Sequence, residues 1–320
     1  MTDLKPCILE RKILPKVWGG RALESVLGLE LPPGEVVGET WELFDRPDGS
    51  SRIRGSDKTL RDLMVEHGPA LLGRGVQPTA QGFFPLLIKY IDASNRLSVQ
   101  VHPNDEQARS LGEGGKSEAW VVLGASEGAR IICGLKEGVT MDQFAAVAAT
   151  EAVEELLHSL TPEVGDAIYV PAGTVHSIGP SVVAYEVQQN SDITYRLYDW
   201  GRPRETHVPQ ALEAIRGAAA APPADEDQSH PESEWLFRNE FFSTRRLRIR
   251  SPGTLGSGGS FSILSVVEGR GTLGWHSGGV EPPMLINRGD TVLIPAAMEV
   301  LFISPVGDLT VLVSGPGEEC

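Results

Sequence analysis

Residues 165–176, GDAIYVPAGTVH, align without gaps with residues 289–300, GDTVLIPAAMEV, and EAWVVLG at 118–124 aligns with ILSVVEG at 263–269. A chain that repeats a turn, an apolar strand and a second turn in this way is built from two copies of one scaffold. Both copies are made of short alternating runs cut by Gly and Pro, and the 36 Gly and 23 Pro of the 320 residues extend that strand-and-turn pattern along most of the chain. The sequence predicts an all-β protein of two small barrels, a length that exceeds the usual ~100 to 200 residues of a single domain.

Within the first copy, FFPLLIKYIDA at 83–93 reads as a buried strand, and AWVVLG and RIICGL as a hairpin around the turn ASEGA. Residues 140–160, TMDQFAAVAATEAVEELLHSL, carry apolar positions at helical spacing and form the expected small helical segment, closed by Thr161-Pro162; HVPQALEAIRGA at 207–218 suggests a further short helix. Residues 218–234, AAAAPPADEDQSHPESE, lack apolar periodicity and read as a linker, which divides the chain into units 1–217 and 235–320. In the repeat, Val300 stands where His176 stands and Ile263 where Glu118 stands, so the second unit is expected to serve packing.

Charge restricts the partners. The formal net charge of −15, from 43 acidic and 28 basic residues, repels polyanions and anionic headgroups, so no nucleic acid and no membrane partner is expected. A small anionic substrate stays admissible, because a few cations gathered in one pocket override the global field within a Debye length of ~8 Å. Cys7, Cys133 and Cys320 are odd in number and far apart, which fits neither a disulfide framework nor a thiolate metal site. With no apolar stretch of signal-peptide length at the N-terminus, a cytoplasmic protein is expected.

The chemistry is carried by LSVQVHP at 97–103, which alternates strictly: Leu97, Val99 and Val101 on one face, Ser98, Gln100 and His102 on the other. A polar row turned into a narrow barrel costs ~1 to 3 kcal/mol for each unsatisfied group unless something central collects it. Gln100, His102, Glu118 at the opening of the next strand and His176 after PAGTV offer two nitrogens and two oxygens with one formal negative charge. That set suits a divalent ion, zinc by preference, with iron, manganese and cobalt as alternatives. Lys116 lies two positions before Glu118 and points to the same side of an extended strand, as a base or as a phosphate contact. Lys89, a charge inside the apolar run LLIKYI, requires a partner.

Gly165, Pro171, Ala172, Gly173 and His176 at their spacing resemble the second motif of the cupin barrels, and QVHP with GKSEAW resembles the first, with Gln in place of a histidine. Together with WGG at 18–20, GETWE at 38–42 and NSDITYR at 190–196, the set resembles the short bacterial form of the type I mannose-6-phosphate isomerases over most of residues 10–202. The resemblance implies two cupin-like jelly-roll barrels, one zinc ion per chain, and interconversion of mannose 6-phosphate and fructose 6-phosphate through an enediolate. It further implies a catalytic role for Arg196 and Asp192, phosphate contacts from Lys89 and Ser98, and pocket positions for Trp18 and Glu39. The long members of the family carry His-Lys-Pro-Glu where this chain has Gly115-Lys116-Ser117-Glu118, so no role of that histidine transfers.

Two other classes fit parts of the pattern: a sugar-binding or regulatory cupin without turnover, and a metal-dependent cupin enzyme of another reaction class. Gln100 argues against a redox iron site. Lys116, Asp192 and Arg196 beside four potential ligands argue against a chain that has lost turnover.

Overall fold

In a computed structural model that describes residues 4–216, 232–276 and 282–317, antiparallel sheets pack as two jelly-roll barrels, as the strand-and-turn pattern predicts. The first barrel has a six-stranded sheet in the order Ala167–Val170, Glu118–Ala125, Val182–Gln189, Leu86–Ala93, Glu39–Leu43, Lys12–Leu14. Facing it is a five-stranded sheet in the order Leu157–Leu160, Ile131–Leu135, His176–Ile178, Val99–Val101, Tyr195–Tyr198. The second barrel repeats the plan with six strands, Cys7–Ile8, Thr291–Ile294, Ser262–Glu268, Leu309–Pro316, Phe242–Ile249, Ser233–Arg238, and four, Gly253–Gly256, Val300–Pro305, Arg270–Trp275, Met284–Asn287.

Alternation along the central strands explains how the barrels join. In Leu86–Ala93, Leu86, Ile88 and Tyr90 face the second barrel, whereas Lys89 and Ile91 face the interior of the first. One hydrophobic cluster takes Phe84, Tyr90 and Tyr185 from the first unit and Phe242, Phe261, Ile263 and Leu312 from the second, so the two six-stranded sheets share a core. Each such side chain, once buried, contributes ~1.5 to 3 kcal/mol. The Tyr185 hydroxyl lies 2.7 Å from Ser314 Oγ, which in turn lies 2.8 Å from Thr244 Oγ1, and this chain satisfies polar groups that the shared core would otherwise strand.

Several expectations need correction. The segment 1–217 does not keep to the first barrel: Cys7 and Ile8 pair with Leu293 and Val292 and add an edge strand to the second. Residues 218–231 of the expected linker lie outside the described residues, and Ser233 and Glu234 already belong to a strand. The helical stretch 140–160 is a helix only over Met141–Val147; a 3₁₀ turn follows at Glu151–Leu156, and Leu157–Leu160 is a strand. Leu157 pairs there with Leu135, and tertiary pairing overrides the local helical pattern. The longest helix among the described residues, Leu60–Leu72, is not among the expected elements although Thr59 and Asp62 form a capping box at its start.

The repeat also shifts by one residue at the two compared positions. Val170 pairs with Glu118 as Ile294 pairs with Ser262, so Ser262 holds the place of Glu118 and Ile263 points into the inter-barrel core. Val300 is 47% exposed, and Leu301 points into the second barrel instead. Neither Ser262 nor Leu301 is a strong metal ligand, so the second barrel lacks the carboxylate and the histidine that the first barrel has at these two places. Among the described residues no helix is long and apolar enough to cross a membrane.

Candidate metal centre and substrate cavity

Val99 and Val101 pack into a cluster with Phe144, Val175 and Leu197, which turns Ser98, Gln100 and His102 to the opposite face. Register then builds a row across the five-stranded sheet. Gln100 lies between His176 on one neighbouring strand and Arg196 on the other, and His176 in turn lies opposite Cys133. Glu118 approaches from the facing sheet, where it pairs with Val170 and Gln188. Sequence-distant residues thus meet because two sheets close over one interior.

One donor atom from each of His102, Glu118 and His176 lies within 4.8 Å of the other two. All three side chains are buried, and Glu118 carboxylate oxygens lie 3.4 Å from His102 Nε2 and 3.3 Å from His176 Nε2. His102 Nδ1 lies 2.7 Å from the Ile193 carbonyl and His176 Nδ1 2.9 Å from that of Thr174. A carbonyl only accepts, so both rings donate from Nδ1 and turn a free Nε2 lone pair towards Glu118, the orientation in which a metal-ligating imidazole is held. Burial, helped by the Lys116 ammonium, pulls the His102 pKa down to about 3, and burial lowers that of His176 as well, so both imidazoles are neutral. Burial alone would raise the Glu118 carboxyl; the Lys116 ammonium opposes it, and the carboxyl stays well below the carboxylate range.

Gln100 meets the centre in an unexpected way. Its Nε2 lies 3.2 Å from His176 Nε2, and its Oε1 accepts a 3.1 Å hydrogen bond from Ser98 Oγ. A neutral imidazole lone pair accepts only from a donor, which explains the orientation; rotating the terminal amide by half a turn exchanges the two atoms. Lys116 Nζ lies 2.8 Å from His102 Nε2 and 2.5 Å from Glu118 Oε2, on the side its sequence position predicts.

Above this group lies a cavity of about 320 Å³. It brings together Trp18, Glu39, Lys89, Ser98, Gln100, Lys116, Asp192 and Arg196, every residue singled out beyond the three buried donors. Trp18 is also core, packed with Ile91 and Trp120. Glu39 accepts from Trp41 Nε1 at 2.8 Å and pairs with Lys16 at 3.2 Å; Asp192 is exposed at the rim. Arg196 donates through Nη1 to the Glu205 carbonyl at 2.7 Å, while its buried Nε has no hydrogen-bond partner among the described residues. Burial and the nearby Arg204 lower its pKa, the condition of a cation short of counter-charge.

Sequence reading missed Glu186, Lys16, Thr194 and Arg204, which line the same cavity. Glu186 was legible by the same signal as Lys89, a charge inside the apolar strand VVAYEVQQ. The two lie opposite each other in register, 3.0 Å apart and buried, and Trp120 Nε1 donates to Glu186 at 3.0 Å. The buried Lys89 therefore has a protein partner already, and burial alone would depress its pKa were it not for Glu186 and Glu39, which raise it. Glu186→Ala, which leaves Lys89 buried and unpaired, is expected to cost ~3 to 5 kcal/mol in urea unfolding, and replacing both residues by apolar ones much less. Equal losses in the single and double variants would show that the pair is not coupled. Cys133 stands beside His176 in the row, and burial raises its pKa to about 11.

Fold and site together define a two-barrel protein of the cupin type whose buried His-Glu-His group can hold a metal beneath a polar cavity. Residues 7–119 match the family model described as phosphomannose isomerase type I, catalytic domain. The mannose-6-phosphate isomerase of Streptococcus mutans is 32% identical over 98% of this chain and 99% of its own length. The crystal structure of the Bacillus subtilis mannose 6-phosphate isomerase superposes with a TM-score of 0.86 at 32% identity, covering 97% of this chain and 99% of that one. A mannose 6-phosphate isomerase bound with zinc and yttrium shares the fold, with a TM-score of 0.79 at 18% identity. The chain belongs to the type I phosphomannose isomerase family.

Proposed function

We propose that this chain interconverts mannose 6-phosphate and fructose 6-phosphate, moving a proton between C1 and C2 through an enediolate. The observation that carries the reading is the convergence of three buried donor atoms within 4.8 Å, joined through Gln100 and Lys116 to a cavity that also collects Lys89, Ser98, Asp192 and Arg196. The donor chemistry fits a divalent ion: two neutral imidazoles fixed through Nδ1, an ionised carboxylate, and an amide that can present its oxygen. Gln100, His102, Glu118 and His176 would hold it, and zinc suits the set. When bound, it supplies Lewis-acid stabilisation of the substrate oxygens at C1 and C2.

A positioned base contributes ~10² to 10⁴, or roughly 3 to 5 kcal/mol, which is too little for so weak a carbon acid without stabilisation of the oxyanion. Lys116, at the floor of the cavity, is our candidate to carry the proton. Arg196 offers an unpaired guanidinium edge to the developing negative charge, and Asp192 at the rim is the accompanying acid. Lys89 and Ser98 are assigned to the phosphate, Trp18 and Glu39 to the wall around the sugar. The second barrel, with Ser262 and Leu301 where ligands would stand, takes no part in this chemistry. Free Cys7 and Cys133 fit a reducing compartment such as the cytoplasm.

A coupled assay tests the assignment. Purified protein with added divalent metal is expected to convert mannose 6-phosphate to fructose 6-phosphate and back; no conversion in either direction at saturating metal and substrate would overturn it.

A further inference from the structure

A second cavity of about 290 Å³ opens in the C-terminal barrel and shares no lining residue with the first. Its walls include Trp235, Arg245, Ser243, Ser260 and Ser262, together with the backbone of the glycine-rich stretch 256–258. Among the described residues no carboxylate lines it.

The cavity repeats the first in register. Across the first barrel's six-stranded sheet one row reads Trp41, Lys89, Glu186, Trp120. In the second barrel the row reads Trp235, Arg245, Val313, Leu264. Trp120 pairs with Ile168 as Leu264 pairs with Val292, and Ile168 and Val292 occupy the same place in the sequence repeat, so the rows correspond position by position. Lys89 Nζ lies 5.5 Å from the Trp41 ring centre and the Arg245 guanidinium 5.7 Å from that of Trp235. The duplicated scaffold has kept a cation beside an indole at this position.

The counter-ion is what changed. Glu186, which neutralises Lys89, is replaced by Val313, and burial lowers the Arg245 pKa; among the described residues no acid pairs with Arg245. A half-buried guanidinium without a carboxylate is costly to hold unless an anion supplies the missing charge. Its planar fork matches phosphate oxygens, neighbouring serine hydroxyls can add hydrogen bonds, and an indole face suits the carbon-bound hydrogens of a sugar. We infer that the C-terminal barrel holds a second, non-catalytic site for a small phosphorylated sugar, with Arg245 on the phosphate and Trp235 beside the sugar.

Calorimetric titration of the full chain with fructose 6-phosphate, inorganic phosphate and unphosphorylated fructose tests this without relying on isomerase activity. Two molecules of fructose 6-phosphate per chain are expected, with fructose itself failing to fill the second site. Arg245→Met should weaken that site at least ~10-fold, Arg245→Lys less, because the charge-assisted fork is lost wholly in one and partly in the other. The melting temperature and the occupancy of the first site should stay unchanged in both variants. A single fructose 6-phosphate site that persists in Arg245→Met, a second site that takes inorganic phosphate but not the sugar phosphate, or a second site indifferent to Arg245→Met would each overturn the proposal, whereas a single site lost in Arg245→Met would support it and contradict the proposed function instead.

Discussion

Replacing His176 by Ala is expected to lower kcat/KM for mannose 6-phosphate by about a thousandfold or more, with loss of bound metal and retention of the fold. The ring's contacts explain why the two effects separate. Within the fold His176 is held by the Thr174 carbonyl, by the Gln100 amide and by an edge-on contact with Trp120 at 5.5 Å between ring centres. Losing such bonds costs ~1 to 3 kcal/mol, a fraction of the ~5 to 15 kcal/mol that holds a domain together. Losing one of two neutral nitrogen donors from a group that offers a single carboxylate removes much of the affinity for a divalent ion. Metal analysis beside circular dichroism reads both quantities; a folded, metal-free His176→Ala protein with parental activity would contradict the assignment.

Arg196→Ala is expected to lower kcat by ~10²- to 10³-fold while the metal content stays at the parental level. Arg196 does not touch the buried donors. It stands across Gln100 from His176, with one nitrogen on the Glu205 carbonyl and its Nε unpartnered, so its lost contribution falls on the substrate and not on the ion. Arg196→Lys should recover little, because an ammonium cannot reproduce two parallel N–H donors in one plane. Unchanged kcat with a raised KM would assign Arg196 to uniform substrate binding instead. Loss of metal in Arg196→Ala would place its effect on the ligands.

The site was more legible than the domain architecture, for a physical reason. Alternation in LSVQVHP is a local property: once Val99 and Val101 are buried, Ser98, Gln100 and His102 have no other face to occupy. The spacing of Lys116 and Glu118 is equally local, and their side chains meet at 2.5 Å. By contrast, nothing near Cys7 signals that it pairs with Leu293, since that contact is set by which sheet edge of the second barrel is open. Residues 157–160 keep a helical sequence pattern, yet the edge beside Ile131–Leu135 takes them as a strand. The repeat showed the duplication but aligned Glu118 with Ile263, because an ungapped match cannot show which residue of a strand faces inward; pairing with Ile294 identifies Ser262.

The misses at the site follow the same division. Glu186 carried a local signal, a charge in an apolar strand, and could have been read. Cys133 joined the site only through its register with His176, which depends on three strands from separate parts of the chain. Arg204 reaches the cavity from a loop, where it is held by Asp199 at 2.6 Å, and a loop arginine in RPRE gives no sign of direction.

Stripping the purified chain with a chelator and returning zinc in measured steps, with activity followed at each step, examines the proposed catalyst most directly. Isomerisation should be absent from the stripped protein and rise in proportion to zinc until one ion is bound per chain. Parental activity in protein shown to be metal-free would contradict it.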